Sequence, residues 1–220
     1  MPSRSQARKL AKSARDKWKA KEWYKIIAPD YFNRVVLGET PADDPNKVIG
    51  RVAEVTVADI GGPIRRSYIK LYFKIYRVHG LEAHSKFIGH EMTQESVQKM
   101  VKRKRSRIDG VFDVRTKDGY LVRVKPIIIT MARINTSRKD KIRRIAKEVV
   151  EEIASKTKFE DFVHMLIDGR LADEIKRRAR VVYPIRECEI RKSEVLYEPS
   201  PEEVQAILQA EEAPKAEQEV

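Results

Sequence analysis

The sequence predicts an α+β fold with mainly antiparallel strands and flanking helices, and three observations carry that prediction. Ile69, Leu71, Phe73 and Ile75 alternate strictly with Tyr68, Lys70, Tyr72, Lys74 and Tyr76, the period of a strand with two distinct faces. A Lys117-Asp118-Gly119 turn separates two runs that can be registered apolar on apolar. Ile142, Ile145, Ala146, Val149 and Ile153 then recur at helical spacing.

In chain order, residues 1–17 lack apolar periodicity and read as a basic, flexible extension that orders on meeting a partner. A single globular domain spans 18–197, with its first strand entering at Glu22 and running to Ile27. Trp18 and Trp23 read as core packing at the domain's edge rather than as base-stacking platforms. Thr40-Pro41-Ala42-Asp43-Asp44-Pro45 reads as a turn-rich connector. Arg51–Asp59 alternates Ala53, Val55 and Val57 against Glu54 and Thr56, and Gly61-Gly62-Pro63 breaks it. After the strand at 69–76, Gly80 turns the chain back through 83–89, antiparallel to it. Thr93 caps a helix that buries Val97, Met100 and Val101.

The hairpin can be registered from sequence alone. A two-residue Asp118-Gly119 loop would set Val114 opposite Arg123 and mix apolar with charged residues on one face. The three-residue loop pairs Thr116 with Tyr120, Val114 with Val122 and Phe112 with Val124, and sets Asp113 against Arg123 outside. It requires Gly119 in the left-handed conformation. The second strand continues through Ile127-Ile128-Ile129, apolar on both sides and so central, with a bulge or edge at Pro126.

Ser137 with Asp140 reads as a weak capping box opening a helix to about Ser155. Phe159, Phe162, Val163 and Leu166 mark a shorter helix ended by Gly169, and a third runs from 171 to 182. Pro184 stops it, and 186–196 is a final strand. Residues 198–220 form an acidic extension with a strong helix start at Ser200-Pro201-Glu202-Glu203.

The formal net charge is +13, and residues 22–197 alone carry +12, because a basic start (+7 over 1–21) and an acidic end (−6 over 198–220) nearly cancel. The excess therefore belongs to the folded body, which points to a polyanionic partner and steep salt dependence. One cysteine, Cys188, excludes an internal disulfide and suits a reducing compartment. No apolar run reaches the roughly 18 residues of a membrane span, and no signal-peptide core is present. The basic N-terminus superficially suits a transit peptide, but it fits better as part of the same basic body.

No catalytic constellation assembles, and no cofactor or small-molecule substrate is implied. His79, His84 and His90 lack metal-binding spacing, His164 is a core-edge residue, and Cys188 is a buried apolar group. Asp43-Asp44 could bind a cation or simply form a turn, and the Pro-flanked setting favours the turn. The binding features are stronger. Lys102, Arg103, Lys104, Arg105 and Arg107 form a five-charge run between patterned segments, suited to a sugar–phosphate backbone. Arg138, Lys139, Lys141 and Arg144 crowd a helix start, where positive charge opposes the dipole and an external anion would relieve the cost. Arg8, Lys9, Lys12, Arg15, Lys17 and Lys19 belong to the extension that would lie along RNA. The Tyr68/Lys70/Tyr72/Lys74/Tyr76 face supports two equal readings, base stacking or a second buried layer.

The stretches KWKAKEWYKIIAPDYF, TPADDP, RKRSRIDGVFDVRTKDGY and RKDKIRRIAKEVVEEIA together resemble the archaeal–eukaryotic S-three-A-e family, the eukaryotic-type S-one ribosomal proteins. RIDG followed by TKDGY is the most specific part, the likeness runs from about Lys17 to Leu196, and the short tails suit the archaeal form. The resemblance implies a non-catalytic, cytoplasmic constituent of the small ribosomal subunit, bound to its rRNA on the platform near the mRNA exit. It implies a mixed, mainly antiparallel sheet closing towards a barrel, neighbours such as the S-eleven-type platform protein, and mRNA close by. A free RNA- or DNA-binding regulator is the alternative, and an RNA-processing enzyme is disfavoured by the missing acid, base and nucleophile set.

Overall fold

The computed structural model of the protein describes Trp18, residues 21–200 and Glu203–Val204. They divide into two compact units, one built from the residues up to Ile64 with Leu71–Ile88, the other from Arg65–Lys70 with the chain from Gly89 onward.

The elements described in full in the first unit are strands and short 3-10 turns. It contains β1 (Glu22–Ile27), β2 (Val36–Ala42), β3 (Val52–Thr56) and most of the long hairpin β4 (Ile69–His79) and β5 (Glu82–Met92). β1 runs antiparallel to β2, with Trp23 opposite Pro41 and Lys25 opposite Glu39, and parallel to the start of β5, with Lys25 opposite Glu82. β4 joins β5 to β3, giving the order β2-β1-β5-β4-β3. Alternation buries one face: Tyr24, Ile26, Ala42, Val48, Ile75 and Ala83 pack as one cluster, and the Phe32 and Phe73 rings meet edge-on at 5.3 Å.

Two expectations fail here. The supposed connector at Thr40–Ala42 is the end of β2; a proline is tolerated because β2 lies at the edge of its ladder, where one side makes no backbone hydrogen bonds. Trp18 and Trp23 are not core residues but stand 58% and 53% exposed; on β1 it is Tyr24, not Trp23, that takes the inward position.

The second unit holds all four described α-helices: α1 (Gln94–Met100), α2 (Thr136–Lys156), α3 (Phe159–Ile167) and α4 (Arg170–Ala179). Its strands are the end of β5, β6 (Arg107–Asp109), β7 (Phe112–Arg115), β8 (Leu121–Thr130) and β9 (Ile185–Tyr197). β9 pairs antiparallel with Gly89–Glu91 of β5 on one side and with β8 on the other. β7 and β6 share the far edge of β8. Flanked on both sides, Ile127, Ile128 and Ile129 are fully buried, and the register shifts at Pro126 as the sequence requires. α2 packs on β6, β7 and α4, and α4 on β9.

The hairpin register is the one derived above: Phe112 faces Val124, Val114 faces Val122, and Asp113 meets Arg123 in a two-pronged ion pair at 2.7 Å. Gly119 is left-handed, at φ 86°. Thr93 occupies the cap position of α1, but Val101 is exposed and already extended rather than part of the buried stripe. The cap of α2 is Asn135, so Ser137 lies inside the helix and Asp140 pairs with Arg143 instead of closing a capping box. Ser200 and Glu203 do form one: the Glu203 carboxylate accepts the Ser200 amide at 2.9 Å and the Ser200 hydroxyl accepts the Glu203 amide at 3.3 Å. In neither unit do the end strands pair with each other. The sheet is mainly antiparallel and open, not a closing barrel.

Candidate nucleic-acid interface

The basic run leaves α1 at Met100 and turns before β6. Lys104 sits at the turn's apex with φ 62°, a left-handed conformation that costs a side-chain-bearing residue about 1–2 kcal/mol. A backbone held there against its preference is over-determined by its surroundings, and Ser106 supplies the constraint. Its amide donates to the Thr130 hydroxyl at 3.1 Å, its carbonyl accepts the Thr130 amide at 3.1 Å, and its hydroxyl accepts the Ile134 amide at 3.1 Å. Ser106 is buried, so one small polar residue ties the turn to the end of β8 and to the lead-in of α2. The two cationic segments singled out by sequence are thus held side by side. Arg143 strengthens the junction, donating from Nε to the Asp109 carbonyl at 3.0 Å.

The cations differ in how they are engaged. Arg107 pairs with Asp109 at 2.8 Å and Arg143 with Asp140 at 2.6 Å; both pairs are exposed, and such pairs are worth about 0.2–1 kcal/mol, little enough to exchange for a phosphate. Arg138 lies 6.0 Å from the centre of the Tyr183 ring. Lys102, Arg103, Lys104, Arg105, Lys139, Lys141 and Arg144 make no ion pair among the described residues. The first turn of α2 carries no acid, so no carboxylate within that turn answers the positive end of the helix. Arg105 is half-buried, and its Nη1 is screened from water with no acceptor, an unmet demand that typically costs 1–3 kcal/mol. Arg8, Lys9, Lys12, Arg15, Lys17 and Lys19 lie outside the described residues.

Among the described residues, charge is divided sharply between the units. Residues 21–64 and 71–88 hold eight basic and eight acidic residues, whereas 65–70 and 89–200 hold thirty basic and eighteen acidic. The whole described excess therefore sits with the turn and α2.

The tyrosine face is divided as well. Tyr68, in the second unit, donates to Glu189 at 3.3 Å; burial pushes the Glu189 carboxyl up, with Arg66 opposing. Tyr72 is half-buried, while Lys74 and Tyr76 of the first unit are exposed. Other polar candidates resolve into structural roles. Asp43 and Asp44 both hold Lys47, at 2.5 and 2.9 Å. His90 is buried; its Nε2–H donates to the Ile190 carbonyl (3.2 Å), which leaves Nδ1 to accept the Ser193 hydroxyl (2.6 Å). Burial lowers its pKa to about 4. Cys188 is free and buried, and burial raises its thiol pKa. Among the described residues no cluster of metal-ligating side chains occurs, and no helix is long and apolar enough to cross a membrane.

Sequence reasoning missed Ser106 and Thr130, which organise the interface. A lone serine inside a run of cations was the available signal, since it is the one position there that could be buried. The division of charge was legible too, by counting segment by segment.

Fold and surface together define an α+β protein whose cationic excess is gathered on one scaffold. The chain belongs to the Ribosomal S3Ae family, whose model matches residues 9–199. It is 48% identical over 190 residues to the small ribosomal subunit protein eS1 of Methanopyrus kandleri, covering 84% of this chain and 90% of that protein. It is 44% identical over 202 residues to eS1 of Staphylothermus marinus, covering 92% and 93%. The family is a structural component of the ribosome and not an enzyme.

Proposed function

We propose that the chain is a structural constituent of the small ribosomal subunit that binds rRNA on the platform near the mRNA exit, in the cytoplasm. The body from 18 to 197 is the rRNA-binding domain. The turn at Lys102–Arg107 and the start of α2, with Arg138, Lys139, Lys141 and Arg144, contact phosphates. The basic extension adds Arg8, Lys9, Lys12, Arg15, Lys17 and Lys19 along the RNA, and platform proteins of the S-eleven type are its neighbours, with mRNA passing close by. The observation that carries this reading is the Ser106 junction, which holds unpaired cations in fixed positions against their mutual repulsion. Fixed cations position a sugar–phosphate backbone without reading its sequence.

The test is the triple variant Arg103→Ala, Lys104→Ala, Arg105→Ala titrated against small-subunit rRNA at several salt concentrations. Losing three phosphate contacts should flatten the slope of log K against log salt by about 2–3, while circular dichroism stays at wild type. An unchanged slope removes the turn from the interface.

A further inference from the structure

Three features of the first unit make its outer sheet face an interaction surface of a different kind. Tyr24, Ile26, Ile75 and Ala83 pack in one cluster, so their strand neighbours Trp23 and Lys25 on β1 and Lys74 and Tyr76 on β4 share the opposite face. The elements described in full in this unit are strands and short 3-10 turns. Trp23 is 53% and Tyr76 54% exposed, and two large aromatic side chains standing out from one sheet are the usual anchors of a protein interface.

Charge selects the partner. Lys25 lies directly between Glu39 on one neighbouring strand and Glu82 on the other, and none of the three makes an ion pair among the described residues. Two carboxylates thus flank one ammonium beside Trp23, a local charge of −1. That local excess of carboxylate disfavours a phosphate beside Trp23. A cationic side chain from another polypeptide would meet both carboxylates and could lie over the indole or phenol ring, a favourable cation–π arrangement.

We infer that the face bearing Trp23, Lys25, Glu39, Tyr76 and Glu82 docks a lysine- or arginine-bearing segment of a neighbouring protein, not RNA and not a second copy of this chain. This rests on the ribosomal reading above, and the experiment separates the two. Benzoylphenylalanine is placed at Trp23 or Tyr76, the variants are assembled into small subunits, and crosslinks formed under light are digested with nuclease or protease. Expected are crosslinks at both positions that resist nuclease, vanish with protease and map to a different chain at a basic segment. Crosslinks to RNA, to a second copy, to a segment without Lys or Arg, or none at all in assembled subunits would overturn the inference. Failure of the unlabelled protein to enter subunits would instead overturn the ribosomal reading. As a second arm, the Glu39→Lys, Glu82→Lys variant should bind isolated rRNA at least as tightly as wild type, yet wash out of subunits at a several-fold lower salt concentration. Retention at the wild-type salt concentration would also count against the docking face.

Discussion

The two units solve the same problem, covering a sheet, with different surfaces. Among the described residues, eight basic and eight acidic residues balance in the first, whose exposed large side chains include Trp23 and Tyr76; in the second, thirty basic residues face eighteen acidic ones, and all four described helices belong to it. Net charge alone suggested a basic body throughout. Among the described residues, the division instead confines the cations' self-repulsion to one unit. There, buried hydrogen bonds such as those of Ser106 hold it, while neutral sheet is left elsewhere for other contacts. Repulsion among the fixed cations costs the free protein stability, and the proposed RNA binding would remove that cost.

The largest effect should come from comparing cation removal in the two units. The triple variant at Arg103, Lys104 and Arg105 should lose at least tenfold in rRNA affinity near physiological salt, in keeping with the counterions released per phosphate contact. The matched triple in the first unit, Lys25→Ala, Lys74→Ala, Arg77→Ala, removes the same formal charge and should change affinity less than about twofold. Equal losses, read by filter binding or fluorescence anisotropy, would dissolve the distinction between the units.

Next is Gly89→Ala. Gly89 pairs with Glu194 where β5 meets β9, and a Cβ there would fall well inside contact distance of the Ser193 carbonyl oxygen, which is backbone and cannot rotate away. Core strands must separate or bend, a loss of about 3 kcal/mol or more by comparison with overpacked interiors. For a chain of this size that lowers Tm by very roughly 6–12 °C. A Tm within 2 °C of wild type would show that the close approach is not obligatory.

His90 gives a smaller, pH-dependent effect at the same strand crossing. Its pKa falls from 6.5 to about 4 on folding. Between those values the unfolded chain holds a proton that the folded one refuses, so stability is complete above about pH 6.5 and declines as pH falls to about 4. The full loss is about 3 kcal/mol. Glu194, held below the usual carboxylate range by Lys192 and Lys125, also loses stability as acid is added, so the measurement is the difference between wild type and His90→Gln in urea unfolding. That difference should shrink steadily as pH falls from 6.5 to 4. A constant difference would mean that the imidazole is already protonated or is hydrated in the folded state.

How much of this was legible beforehand depended on whether local or distant groups decide. The β7–β8 register was readable because Val114, Val122, Phe112 and Val124 leave one arrangement that keeps apolar groups together, and a one-residue slip inverts both faces. The Ser200–Glu203 box was readable because its partners lie three residues apart. β2 was not, since Thr40-Pro41-Ala42 read as part of a connector, and only pairing with β1 makes them strand. The cap of α2 was misplaced by two residues because Ser137 and Asn135 are both competent and the choice lies in the Ser106–Ile134 bond. Within the interface, sequence supplied the cations but not their support: nothing within six residues of Ser106 announces Thr130. The open sheet contradicts the barrel that family likeness suggested, since closure depends on strand ends meeting at long range, which no local pattern encodes.

The smallest effect asks whether the hairpin loop is a mere turn. Asp118 is buried, and its Oδ2 accepts the Phe159 amide at 3.0 Å, capping α3 from another element, while the Lys117 amide donates to the Thr157 carbonyl at 3.1 Å. Tyr120 stacks on Phe159 at 4.1 Å. The loop residues that set the β7–β8 register therefore also fix where α3 begins. Asp118→Ala should cost about 1–2 kcal/mol, the range for a lost N-cap, whereas Asp118→Asn keeps an acceptor and should cost about half as much. Neither touches a cation of the interface, so rRNA affinity at a temperature well below Tm should remain at wild type. Equal costs for the alanine and asparagine variants in chemical denaturation would mean that the carboxylate's charge, not its place as an acceptor for α3, is what the fold uses there.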